Sequence, residues 1–173
     1  MSTAGKKSEL NQLGRKIFLD RYALKDTKKE SIATGDLVLV VSNNHTGQRE
    51  IGTVTEILGN DSFLVTLEDG TETVSTLEHL DKPLETNPAS MHRRVAGGIA
   101  KQEKSSRRDE WREKFTWLLD DWKFVPGGRI LTGAGTDQKL TYYNCYVVPS
   151  PKDSRGGIMD TLTQMEEIMS RGG

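Results

Sequence analysis

A chain of 173 residues with 34% hydrophobic and 28% charged side chains, whose charges nearly cancel to a formal net charge of -1, suits one medium domain or two small ones and predicts no polyelectrolyte partner. A single cysteine excludes a secreted disulfide scaffold. No apolar run approaches the ~18 residues of a membrane span and the first ten residues lack a signal-peptide core, so the cytoplasm is the expected compartment.

Leu10, Leu13, Ile17, Phe18 and Tyr22 recur at helical spacing and predict a short helix burying one stripe, weakened by Gly14. The period then changes. Asp36 to Val41, Glu50 to Ile57 and Ser62 to Leu67 are rich in β-branched residues, and Glu68-Asp69-Gly70 offers a tight turn before Thr71 to Ser75. Four short strands in about forty residues predict a small antiparallel sheet or barrel. Its Gly35-Asp36-Leu37-Val38 start and a hairpin at Gly52-Thr53-Val54 are similar to small barrels of the Tudor or KOW kind, which bind nucleic acid or protein. Balanced charge favours the plainer reading, a structural appendage packed on its neighbour.

Pro83 and Pro88 frame a connector, after which Asn87 caps a helix that takes Pro88 at its first position and carries the stripe Met91, Val95, Ile99. Ser106 with Asp109 predicts a capping box for a second helix burying Trp111, Phe115, Leu118, Leu119 and Trp122. Two such helices pack together or on a sheet. Phe124-Val125-Pro126-Gly127-Gly128 ends the helical region, Arg129 to Thr132 reads as extended, and Gly133-Ala134-Gly135 turns the chain. Tyr142 to Val148 is a strand by composition, stopped by Pro149 and Pro151, and Ile158, Leu162, Met165 and Met169 define a last helix running into Gly172-Gly173. A helix leading into glycines normally turns into a further element, which gives the chain the look of an interrupted domain.

Cys145 is the residue with most chemistry. A lone cysteine is by default a small apolar core side chain. Alternation along its strand, however, puts Tyr143, Cys145 and Val147 on one face and Asn144 on the other, between glycine loops, which fits the mouth of a site. The turns at 126–129 and 133–136 match neither a phosphate loop nor a dinucleotide fingerprint and read as ordinary turns. Asp153-Ser154-Arg155-Gly156-Gly157 sets a carboxylate, a hydroxyl and a guanidinium ahead of a helix, which suits either a nucleoside with a charged tail or a capping loop. His45, His79 and His92 lack ligand spacing, so no metal site is expected, and Arg107-Arg108 reads as solvated surface.

The series Phe124-Val125-Pro126-Gly127-Gly128-Arg129-Ile130-Leu131, Gly133-Ala134-Gly135-Thr136, Asn144-Cys145-Tyr146-Val147 and Pro149 to Gly157, through Met169-Ser170-Arg171-Gly172-Gly173, closely resembles the start of the catalytic domain of adenosylcobalamin-dependent (class II) ribonucleotide reductases. Leu13 to Tyr22 and Arg94-Val95-Ala96 resemble the amino-terminal helical region of that family. The resemblance implies an α+β chain divided into an N-terminal helical segment (1–33), the small β unit (34–82), a helical region (83–123) and the first strands and helix of an incomplete ten-stranded α/β barrel (124–173). It implies that ribonucleotides are reduced to deoxyribonucleotides by cobalamin-initiated thiyl radical chemistry. Cys145 matches the first of two cysteines that become a disulfide, with Gly128 and Asn144 lining the substrate site. Asp153, Ser154 and Arg155 match an effector loop that binds a deoxynucleotide at a homodimer interface. The radical cysteine, the second redox cysteine and most cobalamin contacts of the family are not in this sequence, so the implied partners are a complementary C-terminal chain or segment and a thioredoxin-type reductant. Such a chain is expected to be either a truncated piece or one product of a split gene or splicing-element junction whose partner completes the barrel. The rival reading is a non-enzymatic module whose β unit contacts nucleic acid or protein, and a basic face on that unit would favour it.

Overall fold

The computed structural model of the chain describes residues 10–29, 32–138, 140–171 and 173. Strands β1 (Leu37–Asn43), β2 (Gln48–Gly59), β3 (Ser62–Leu67) and β4 (Glu72–Thr76) form an antiparallel meander, and after a 3₁₀ turn at Leu77–His79 the short β5 (Leu80–Asp81) returns to pair with β1, giving the order β4-β3-β2-β1-β5. The expected β unit is therefore present, with a fifth strand too short to be read from its residues. The hairpin turns use left-handed backbone at Gly47, at Asn60 and Asp61, and at Gly70, as tight connections require. Gly52 lies inside β2, not in a hairpin as expected. A side chain there would collide with Val65 on β3, so this glycine serves the close approach of two strands.

β1 is buried on both faces, which is why its run Leu37 to Val41 is continuously apolar. Val38 and Val40 meet Val54, Phe63, Val65 and Leu80 within the curled sheet, whereas Leu39, paired with Ile51, faces the helices.

The N-terminal helix α1 (Gln12–Ile17) starts at Asn11, whose side chain accepts from the Gly14 amide at 2.7 Å, and runs into a π-helical turn, Phe18–Tyr22, closed by the Ala23 amide on the Phe18 carbonyl. The wider turn shifts the helix register. Leu13 and Ile17, expected in the buried stripe, stay 65% and 45% exposed, and Leu19 takes the core position at 0%. Lys16 on α1 reaches both oxygens of Glu50 on β2 at 2.7 Å and holds that carboxyl below its ordinary range, and Arg15 pairs with Glu68.

Helix α2 (Pro88–Ala100) begins as expected, with the Asn87 side chain accepting from the Ser90 amide at 3.0 Å and Pro88 in first position. Helix α3 (Arg108–Leu119) instead opens from a 3₁₀ turn, Ser105–Arg107, and the Ser106–Asp109 capping box does not form. The turn ties the Arg107 amide to the Lys104 carbonyl, making Arg107 the capping position. Of the side chains expected inward on this helix, Leu119 is buried, Trp111, Phe115 and Trp122 are half-buried, and Leu118 is exposed. α2 packs on α3, and together with the N-terminal helix and the outer face of β1 and β2 they close one core around Leu19, Leu39, Met91, Val95 and Leu131.

Two elements differ from expectation. Arg129 to Thr132, expected extended, is part of helix α4 (Gly128–Gly133), and Tyr142 to Val148 forms no strand. A strand exists only where its amides and carbonyls pair with a neighbouring edge, and this segment pairs with none of the described strands. Helix α5 (Arg155–Ser170) forms as expected, yet Ile158, Leu162, Met165 and Met169 on its apolar stripe are 45–66% exposed. The fold is α+β, with an antiparallel sheet and helices grouped beside it.

Candidate functional site

What positions the C-terminal third is a buried ion pair. Arg94 on α2 and Glu85 on the preceding connector are 8% and 7% exposed and meet as a two-bond fork, Nε to Oε1 at 2.7 Å and Nη2 to Oε2 at 3.1 Å. The remaining guanidinium protons go to the carbonyls of Leu131 at 3.0 Å and Ala134 at 2.7 Å, with longer contacts to Thr132 and Tyr22. Glu85 in turn accepts from the Leu24 amide at 2.9 Å. One cation thus caps the carbonyl end of α4 and ties it to α2 and to the end of the N-terminal helix, which explains a helix where the residues alone suggest an extended segment. The pair was not singled out from the sequence, where Arg94 stood only as part of Arg94-Val95-Ala96.

The Gly133-Ala134-Gly135 turn is a packing device. Gly135 is left-handed at φ 76°, and a side chain on either Gly98 or Gly135 would fall onto the other strand of backbone, so α2 and the turn touch main chain to main chain. Beyond it the Tyr142 ring lies over Gly133, and the Thr141 and Tyr146 hydroxyls share a 2.6 Å hydrogen bond.

Cys145 and Asn144 lie exposed on this irregular segment. Gly128 opens α4 against the Tyr22 ring. Ser154 caps α5, accepting from the Gly157 amide at 3.0 Å, and Asp153 and Arg155 beside it are exposed. Cys145, Asn144, Gly128 and the Asp153–Arg155 loop line none of the grooves described here. Among the described residues no three His, Cys, Asp or Glu side chains are placed to hold a metal ion, and no helix is long and apolar enough to cross a membrane.

The largest groove described here, about 640 Å³, lies between the N-terminal helix, the start of α2 and the end of α3. On its wall His92 is only 4% exposed, neither ring nitrogen has a hydrogen-bond partner, and its ring meets the Trp122 ring edge to face at 4.8 Å. The chain reaches that contact through left-handed backbone at Asp121 and Trp122, φ 54° and 56°, a conformation costing of order 1–3 kcal/mol per residue. Burial lowers the His92 pKa from its ordinary value near 6.5, with the Asp120 carboxylate pulling weakly the other way. Below that ordinary value the unfolded chain binds a proton that the folded chain refuses. Stability is therefore expected to fall as pH drops below about 6.5, by up to about 1.4 kcal/mol per pH unit. Urea midpoints measured from pH 7.5 to 5 should show that slope in the native chain and not in His92→Phe; equal slopes in both would assign the effect to other groups.

The β unit carries no basic face. Within residues 34–82 nine carboxylates stand against Arg49 and Lys82. Arg49 is paired with Asp81 at 2.7 Å and Lys82 with Asp36 at 2.7 Å. A surface so acidic repels a phosphate backbone, which weighs against nucleic-acid contact by this unit.

Comparison with known proteins gives two similarities, both to ribonucleotide reductases. Residues 76–139, comprising the last turn and strand of the β unit, α2, α3 and α4, match the family model of the ribonucleotide reductase all-alpha domain. The chain is also 33% identical over 111 residues to the vitamin B12-dependent ribonucleoside-diphosphate reductases of Mycobacterium tuberculosis strains CDC 1551 / Oshkosh and ATCC 25618 / H37Rv, a match covering 64% of this chain. It spans about 14% of the length of those relatives. No solved structure matches the chain significantly. The resemblance read from the sequence is borne out by these matches, the family model being of ribonucleotide reductases and the relatives being vitamin B12-dependent ones.

Proposed function

We propose that this chain is the amino-terminal part of an adenosylcobalamin-dependent ribonucleotide reductase that converts ribonucleotides to deoxyribonucleotides for DNA synthesis, and that it acts only together with a complementary C-terminal segment. The observation that carries the reading is the coincidence of the all-alpha domain match with a 33% identical vitamin B12-dependent reductase over most of the chain. The structure is consistent with it in one physical respect. The segment around Cys145 is exposed and pairs with no strand, and α5 carries an uncovered apolar stripe, which are the surfaces a completing barrel would cover.

In this reading Cys145 is one of two thiols that reduce the substrate. A ribonucleotide 2′-hydroxyl and two thiols give the deoxyribonucleotide, one water and one disulfide, so both electrons come from the sulfur pair. Cys145 is the only cysteine of this chain, so the second thiol belongs to the complementary segment. Gly128 and Asn144 line the substrate site, and Asp153, Ser154 and Arg155 form the deoxynucleotide effector loop at a homodimer interface, with Ser154 also spending its hydroxyl as the cap of α5. A thioredoxin-type dithiol regenerates the pair. None of the grooves described here offers an enclosed site for a corrin, and the cobalamin is assigned to the complementary segment.

Complementation tests the reading. The 173-residue chain alone, given ribonucleoside diphosphates or triphosphates, adenosylcobalamin and a dithiol, is expected to form no deoxyribonucleotide. Adding the remaining part of a vitamin B12-dependent reductase should restore turnover, and the absence of any product from the reconstituted pair would reject the proposal.

A further inference from the structure

We propose that the groove between α2 and α3 is an oligophosphate-binding site, taking the phosphate chain of a di- or triphosphate. Arg93 on α2 and Lys101 at its C-cap lie eight residues apart, and Arg108 and Arg112 lie four apart on the facing side of α3. All four line one groove of about 440 Å³ in which Asp109 is the only acidic wall residue. Arg94 also reaches this groove, but its charge is matched by Glu85 behind it. Asp109 is engaged by Arg112 at 3.0 Å, and Arg108 donates to the Glu103 carbonyl. Among the described residues the side chains of Arg93 and Lys101 make no hydrogen bond or ion pair.

This convergence does not follow from a basic composition, since the chain as a whole carries a formal charge of -1. Four like charges facing one another across a cleft repel, and a multiply charged anion relieves that repulsion. Gly97 leaves open depth beneath the guanidinium groups, since a Cβ there would meet nothing nearer than the Arg112 stem at 4.0 Å, while Gly98 and Gly135 close the groove wall main chain to main chain. A carboxylate brings one charge and would leave most of the cleft uncompensated. A di- or triphosphate matches both the number of cations and the planar forks of three arginines. The site is independent of Cys145 and of the Asp153–Arg155 loop, and it stands or falls separately from the reductase reading.

The test is calorimetric titration of the 173-residue chain with inorganic tripolyphosphate at low ionic strength. Saturable binding of one equivalent is expected, weakening as sodium chloride is raised, because the contacts are screened at a Debye length of ~8–10 Å near physiological salt. The double variant Arg93→Gln/Lys101→Gln should lose about tenfold or more in affinity, with Arg112→Gln as a second route should the double variant lose its fold. Lys152→Gln, on the remote loop before α5, should bind as the native chain does. No saturable binding, equal affinity in the groove variants, or an equal loss in Lys152→Gln would each overturn the proposal.

Discussion

Arg94→Met is expected to lower the stability of the chain by about 3–5 kcal/mol, the general cost of leaving one member of a buried ion pair without its partner. Methionine keeps much of the arginine volume, so the loss is electrostatic and not a cavity. It strands the Glu85 carboxylate, 7% exposed, with the Leu24 amide as its remaining donor, and it uncaps the carbonyls of Leu131 and Ala134. For a chain of this length the melting temperature should fall on the order of 10 °C. The double variant Arg94→Met/Glu85→Leu should recover part of the loss, because no buried charge is left behind. The effect should also be local in its first consequence. Hydrogen exchange at α4 and the 133–136 turn should rise before the β1–β2 core opens, since Arg94 is what ties that helix to α2. A loss under about 1 kcal/mol would mean that the pair is solvated in solution and is no hub.

Cys145→Ser is expected to abolish multiple turnover by the reconstituted reductase while leaving the stability of this chain within about 0.5 kcal/mol of native. The two halves of that expectation rest on separate observations. The side chain is exposed and belongs to neither buried cluster, so replacing sulfur by oxygen removes no packing. A hydroxyl, however, cannot yield the electrons that a thiol pair gives up in becoming a disulfide, so the cycle stops at the reduction step. Stability is followed by urea denaturation of the chain and turnover by deoxyribonucleotide formation with a dithiol present. Full turnover in Cys145→Ser would refute the assigned role. A large loss of stability with turnover retained would return the residue to the ordinary reading of a buried cysteine, which its exposure already disfavours.

How much was legible beforehand differs by region, for physical reasons. The small sheet was readable because β-branched runs and turn residues such as Glu68-Asp69-Gly70 act locally, and α2 was readable because Asn87 and Pro88 mark its start within one turn. The N-terminal stripe was misread at Leu13 and Ile17 because a π turn at Phe18–Tyr22 changes the helix register, and no single residue announces it. The expected strand at Tyr142 to Val148 fails for the opposite reason, since strand residues without a neighbouring edge have nothing to pair with. Leu118 shows the same limit on α3, where helical spacing alone does not say which face the neighbours will cover.

By itself the sequence determined the four-stranded meander, α2, α3 and α5, the single thiol and a motif series that resembles class II reductases, because those depend on local backbone preference and on residue identity. Tertiary structure alone decided that Arg94 and Glu85 form the joint holding α4, that Gly98 and Gly135 meet backbone to backbone, and that Arg93, Lys101, Arg108 and Arg112 face one cleft. Charge and contact act through space: residues separated along the chain affect one another's energy only after packing has brought them within a few ångströms.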